Sequence, residues 1–236
     1  MNKAKIQLRR IFAELSDYFF PKNCLNCEKE GSWICESCKD SLFFMDARFC
    51  PFCRGLSDMY VVCQKCKKKT GINALFSLFK YNDSLVRKII KNFKYRYIKD
   101  ISDELKPIFR KFIIKYKSLI DFEGAVLIPV PLYPRNKRER GFNQAEFLAN
   151  IISEILNIPV NAKCVKKCKK TKNQAGLDIN ARRNNLSGSF EVIGQAPKKA
   201  IIIDDVFTTG ATIREIANIL RSAGVENIQV ITLARG

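Results

Sequence analysis

The sequence predicts an α/β fold: a parallel, doubly wound sheet over residues 72–236, preceded by a cysteine-rich module at 22–71 and an amphipathic helix within 1–21. Three observations carry this. Apolar strands alternate with amphipathic helices from Gly124 onward, the pattern of βαβ units. Residues 201–203 are three isoleucines without alternation, as suits a strand covered on both faces. Eight of the ten cysteines form four CxxC pairs confined to residues 24–66. With 236 residues, 47% of them hydrophobic, the chain can fill one α/β core and still build a small module.

At the start, Leu8, Ile11, Phe12, Leu15 and Phe19 recur at helical spacing beside Lys3, Lys5, Arg9 and Arg10. This predicts a helix over about residues 4–19, ending before Pro21. It is too short and too charged to span a bilayer. Packing on the protein itself suits it, and so does peripheral contact with a membrane surface or a partner.

The four pairs that follow are Cys24/Cys27, Cys35/Cys38, Cys50/Cys53 and Cys63/Cys66. Thiolates two residues apart can turn back onto one tetrahedral ion, and two such pairs complete a four-thiolate zinc site. The chain has no histidine to contribute. Two structural Zn²⁺ ions are expected, with the first pair joining the second and the third joining the fourth in a double zinc ribbon; a cross-braced arrangement, first pair with third, stays open. A secreted disulfide scaffold is the competing reading of so many cysteines. No apolar signal-peptide core precedes them, which points to a reducing cytoplasm where thiols meet metal. Cys164 and Cys168 stand apart, spaced almost helically among lysines that could lower a thiol pKa, but ordinary loop cysteines are the simpler reading.

Residues 74–80 read as a strand. Asp83 then caps a helix whose face is Leu85, Val86, Ile89, Ile90 and Phe93. Arg87, Lys91 and Lys94 share another face, with Tyr95 and Tyr97 close by. A solvated charge face explains them, and so does a surface that tracks single-stranded nucleic acid and stacks its bases. The formal net charge of +19 favours a phosphate-bearing partner.

Residues 125–130 make the next strand, and residues 131–135 turn into 136–143, NKRERGFN. Arg135, Lys137, Arg138 and Arg140 crowd this loop around Gly141, a composition that neutralises pyrophosphate. A helix over about 144–156 follows, carrying apolar Phe147, Leu148, Ile151, Ile152 and Ile155. Residues 163–185 hold six lysines in 163–172 and then Arg182 and Arg183. They read as a segment too polar to pack and long enough to close over a ligand.

The strand at 201–203 leads into Asp204 and Asp205, where ligands of open α/β sheets bind. Thr208, Thr209, Gly210, Ala211 and Thr212 then let backbone wrap a phosphate at the start of a helix over about 212–223. Carboxylates for ribose hydroxyls and a small-residue turn for phosphate suit a sugar phosphate. Gly224 closes the helix, and residues 228–233 are the last strand. No GxxxxGK[ST] loop or GxGxxG fingerprint competes with this turn.

IIIDDVFTTGAT at 201–212 resembles the 5-phosphoribosyl-1-pyrophosphate (PRPP) loop of type I phosphoribosyltransferases. The four CxxC pairs, FKYNDSLVRKIIKNFKY at 79–95, IPVPLYPRNKRERGFNQAEFLA at 128–149 and TKNQAGLDINARRNNLSGSF at 171–190 extend the likeness. Together they resemble the competence-protein ComF family, in which a zinc ribbon joins a type I phosphoribosyltransferase domain. The resemblance implies Asp204 and Asp205 on the PRPP ribose and residues 208–212 on its 5-phosphate, with Mg²⁺ accompanying PRPP. It also implies a pyrophosphate loop at Arg138, Arg140 and Gly141, and a mobile loop that includes Lys172, Gln174, Arg182 and Arg183. It further implies a role in natural transformation with imported single-stranded DNA, beside proteins of the competence machinery.

Catalysis does not follow from the fold alone. Purine-salvage transferases carry an acid where this chain has Thr208, which argues against purine salvage. No acceptor pocket is identifiable. The alternatives are therefore a working phosphoribosyltransferase on an unknown nucleophile, and a zinc-ribbon adaptor whose PRPP site is a relic.

Overall fold

The isoleucine run 201–203 occupies an interior strand of a four-stranded parallel sheet, and all three side chains are buried. The computed structural model describes residues 22–95, 98–169 and 188–236. The helix expected at 4–19 lies outside these residues, as do Tyr97, Lys172, Gln174, Arg182 and Arg183. In chain order the elements are α1 (Glu36–Asp40), α2 (Gln64–Thr70), β1 (Ala74–Lys80), α3 (Ser84–Tyr95), α4 (Ile98–Tyr116), β2 (Ala125–Pro129), α5 (Pro134–Arg140), α6 (Gln144–Leu156), β3 (Val165–Lys167), β4 (Phe190–Val192), β5 (Lys199–Phe207), α7 (Ala211–Ser222) and β6 (Asn227–Arg235). The main sheet runs β1-β6-β5-β2, and β3 pairs with β4 in a separate antiparallel ribbon.

Because strand side chains alternate, the sheet feeds two cores. Leu127, Ile201, Ile203, Ile231 and Leu233 pack with Ile89 of α3, Phe109 and Phe112 of α4, and Leu148 and Ile152 of α6. Ile128, Ile202 and Val230 pack instead with Ile213, Ile216 and Leu220 of α7, with Phe190, and with Val62 and Ile72. The doubly wound reading is therefore correct, and the cysteine module contributes to both cores.

Local chemistry sets the helix starts. Asp83 Oδ1 accepts from the backbone N–H of Leu85 at 2.9 Å and of Val86 at 3.1 Å, the expected cap of α3. Asn143 does more: its Oδ1 accepts from Ala145 N–H while its Nδ2 donates to the Val130 carbonyl at 3.0 Å, fastening α6 to the end of β2. β1 would be an exposed sheet edge, but residues of the module cover it. Met45 N–H donates to Leu78 O at 2.8 Å, Leu75 N–H to Tyr60 O at 2.9 Å, and Val62 N–H to Asn73 O at 2.9 Å.

Three expectations need correction. The basic stretch after residue 133 is not a loop: Pro134 at its first turn and Gly141 at φ +78° close it into the short helix α5. Residues 163–185 are not uniformly too polar to pack, because Cys164 and Val165 are buried and 165–167 pair with 190–192. Cys164 and Cys168 therefore flank a strand rather than a helical turn. Burial pushes both thiols up, not down. The 19-residue helix α4 was not anticipated at all. Among the described residues no helix is long and apolar enough to cross a membrane.

Candidate functional site

β5 continues past the isoleucines to Phe207, so Asp204 and Asp205 sit within its C-terminal half rather than beyond it. Together with the turn that follows they line a cleft of about 280 Å³ whose other walls are Val130, Pro131 and Leu132 at the end of β2, Lys167 of β3 and Phe190 of β4. Every residue from Asp204 to Ile213 lines it, so the carboxylates and the Thr-Gly turn read from sequence are brought to one place. Both carboxylates are half-buried, and Asp205 N–H donates to Asp204 Oδ1 at 2.9 Å, which fixes that carboxylate's direction.

The turn has its shape for a definite reason. Gly210 takes φ +69°, and a Cβ there would lie 2.5 Å and 2.7 Å from the Phe207 ring and 3.2 Å from the Phe52 ring. Only glycine fits both the backbone and the space. Thr209 Oγ1 accepts from Ala211 N–H at 3.4 Å, and α7 begins at Ala211, placing the positive end of a 12-residue helix at the cleft.

Lys167 is the site residue that sequence reading missed. Its Nζ lies 5.4 Å over the centre of the Phe190 ring. Burial pulls its pKa below the ordinary lysine value, and Asp204 opposes that shift. A partly desolvated cation beside the Asp204 carboxylate can neutralise a polyanionic ligand more strongly than a solvated lysine could. By contrast, Arg138 and Arg140 lie on α5, and neither lines the cleft. A second cavity of about 320 Å³ adjoins it, sharing Pro131, Leu132 and Lys167 and adding Lys137, Val165 and Ile193.

Of the expected nucleic-acid residues, Arg87 and Lys91 are exposed on α3 with Lys88 beside them. Lys94 and Tyr95 fall in the last turn of that helix.

The cysteines form two groups, Cys24, Cys27, Cys35 and Cys38 in one and Cys50, Cys53, Cys63 and Cys66 in the other. Sequential pairing is thus the observed one, and the cross-braced alternative is excluded. Within each group every sulfur lies within 4.8 Å of the others, and Cys27–Cys35 and Cys53–Cys63 approach to 3.5 and 3.6 Å. Four thiolates on tetrahedral zinc stand about 3.8 Å apart, given a bond of about 2.3 Å. The cysteines are free rather than disulfide-bonded. The Ser37 hydroxyl and the Cys38 N–H bring the Cys35 thiol down to about 6, while burial and the neighbouring sulfurs push Cys66 up to about 12. Four sulfurs this close do not all ionise without a cation to share. Both groups therefore fit a closed zinc site.

A model of the phosphoribosyl transferase domain matches residues 143–236, which contain β5, the turn and α7. The chain is 30% identical over 219 residues to Competence protein ComFC of Bacillus subtilis, covering 88% of this chain and 86% of the relative. The chain belongs to the competence-protein ComF family. Residues 72–236 make up only 165 of the 236, so a match of that extent reaches into the cysteine module as well. Competence protein F of Haemophilus influenzae is 43% identical over 113 residues, about half of each chain. The DNA utilization protein YhgH of Escherichia coli O157:H7 is 28% identical over 211 residues, 87% of this chain and 92% of that one.

Proposed function

We propose that this ComF-family chain binds PRPP with Mg²⁺ and acts in natural transformation, handling imported single-stranded DNA in the cytoplasm. The observation that carries the ligand is the single cleft that gathers Asp204, Asp205, Lys167 and residues 208–212. In it the two carboxylates would accept hydrogen bonds from the ribose hydroxyls. The amides of the turn and the start of α7 would hold the 5-phosphate, and Lys167 would offset charge on the pyrophosphate side. Asp204 and Asp205 are the carboxylates of the cleft beside which Mg²⁺ would accompany PRPP, where it would supply positive charge to offset the pyrophosphate. Arg138, Arg140 and Gly141 are the candidates for the pyrophosphate loop, and Lys172, Gln174, Arg182 and Arg183 for the closing loop. Two Zn²⁺ ions in the cysteine groups serve as structural ions, since closed four-thiolate sites leave no position for substrate.

The process is supported by what the relatives are named for, competence and DNA utilization, and by the charge of +19. Arg87, Lys91 and Lys94, with Tyr95 and Tyr97, are the proposed strand-tracking and stacking residues. Proteins of the competence machinery are the expected partners.

Calorimetry with PRPP and Mg²⁺ tests the site. Asp204→Asn with Asp205→Asn should abolish binding while two zinc ions per chain remain, because each lost bond to an ionised acceptor costs about 1.5–3 kcal/mol. Equal affinity in the double variant would defeat the assignment. A working transferase is favoured by one observation, the second cavity opening beside Lys167, where an acceptor could approach. Release of pyrophosphate from PRPP in the presence of candidate nucleophiles would establish it.

A further inference from the structure

We infer that Phe52, in the knuckle between Cys50 and Cys53, is a positioning residue for the phosphate turn, so that the second four-cysteine group and the cleft act as one unit. The inference rests on the PRPP reading for its consequence but on contacts for its existence. The Phe52 ring stands edge-on to Phe207 with centroids 5.6 Å apart, and the two rings fill the space that leaves room only for glycine at 210. Arg214, one turn into α7, lays its guanidinium 5.6 Å over Phe52, while its backbone N–H donates to Gly210 O at 2.9 Å. Arg235 stacks over Phe207 at 5.9 Å and donates to the Pro51 carbonyl at 3.3 Å, adding a second tie to the same knuckle.

The other end of α7 is held by the same module. Arg221 donates to Gly71 O through Nε at 2.8 Å and Nη2 at 2.6 Å, and to Asn73 Oδ1 at 2.8 Å. Gly71 directly follows α2, which carries Cys66. The helix that presents its N-terminus to the phosphate is therefore gripped at both ends by residues next to one thiolate group. Phe52 lies between two of the four thiolates, so its ring position depends on that group being closed.

The first cysteine group has different attachments. Lys39 of α1 pairs with Glu104 at 2.5 Å and Asp40 with Lys111 at 3.0 Å, both on α4. The core it joins lies on the face of the sheet away from α7. The two groups are thus unequal: the second should govern the phosphate turn and the first should not.

The test uses the full chain and two readouts. Phe52→Ala should retain two zinc ions by elemental analysis, yet speed amide hydrogen exchange across residues 208–214 and weaken PRPP–Mg²⁺ binding by roughly tenfold. Phe52→Tyr, which keeps the ring, should restore both. Lys39→Ala, on the first module, should leave exchange at 208–214 unchanged. Unchanged exchange in a zinc-replete Phe52→Ala, or equal acceleration in Lys39→Ala, would overturn the inference. Should the wild-type chain bind no PRPP, the ligand reading falls while the exchange measurement still decides the role of Phe52.

Discussion

Replacing Gly210 with alanine asks whether the turn is held by space or merely by habit of sequence. A Cβ at this position meets the Phe207 ring at 2.5 Å and 2.7 Å, contacts that real Cβ atoms do not make, and the ring cannot retreat freely because Phe52 packs on it. A left-handed backbone costs an alanine about 1–2 kcal/mol. Overpacking a filled site adds about 1–3 kcal/mol. The sum, about 2–5 kcal/mol, corresponds in a domain of this size to a fall in Tm of roughly 4–20 °C. Gly124→Ala is the internal control: its φ is +66°, but a Cβ there meets nothing within 4 Å, so only the backbone cost applies. Thermal unfolding of both variants in the presence of zinc checks the argument. If Gly210→Ala loses no more stability than Gly124→Ala, the ring contacts do not constrain the turn and the reasoning fails.

Other outcomes follow from the same geometry. Freshly purified protein should carry about two zinc ions, and a chelator should unfold the cysteine module, more readily as pH falls because protons compete for the thiolates. Fluorescence during titration with a chelator at two pH values measures this. Lys167→Met should weaken PRPP binding. In the wild type, affinity should decline as pH rises through the Lys167 pKa, which burial sets below the ordinary lysine value of 10.5. Lys167→Arg should remove that alkaline limb in calorimetry across pH. Single-stranded DNA affinity should fall with salt at a log–log slope of about −0.7 per phosphate contacted, and neutralising Arg87, Lys91 and Lys94 should flatten it. Anisotropy with a labelled oligonucleotide reads the slope.

Much of the site was legible because its signals are local. The isoleucine run, the two acids and the Thr-Gly turn occupy twelve consecutive residues, so one strand-turn-helix places them all. The zinc pairing was less legible, since CxxC spacing identifies ligands but not which pairs meet. Lys167 was hidden for a different reason. In sequence it is one lysine among six within 163–172 and reads as solvated. It is half-buried only because 167 pairs with Phe190 across the sheet, a partner more than twenty residues away. α4 could have been found: Ile101, Leu105, Ile108, Phe109, Phe112 and Tyr116 recur at helical spacing and are buried. Pro107 within that run obscures the signal, since proline usually ends a helix.

Composition changes sharply near residue 71, where cysteines and lysines give way to apolar strands, but the hydrogen bonds do not respect that change. Residues 45, 60 and 62 pair with the open side of β1, Tyr60 is buried against Phe76 and Tyr116, and Arg221 reaches back to Gly71. An edge strand left bare invites association with other chains, so the module has a structural task for the sheet whatever it binds. The sheet in turn supplies the apolar surface that so small a cysteine module lacks on its own. Zinc loss should therefore reach beyond the ribbons: it removes the cover from β1 and loosens the grip on α7 together. A family that joins a zinc ribbon to a phosphoribosyltransferase sheet need not have combined two functions, because here the ribbon completes the sheet and abuts its Thr-Gly turn.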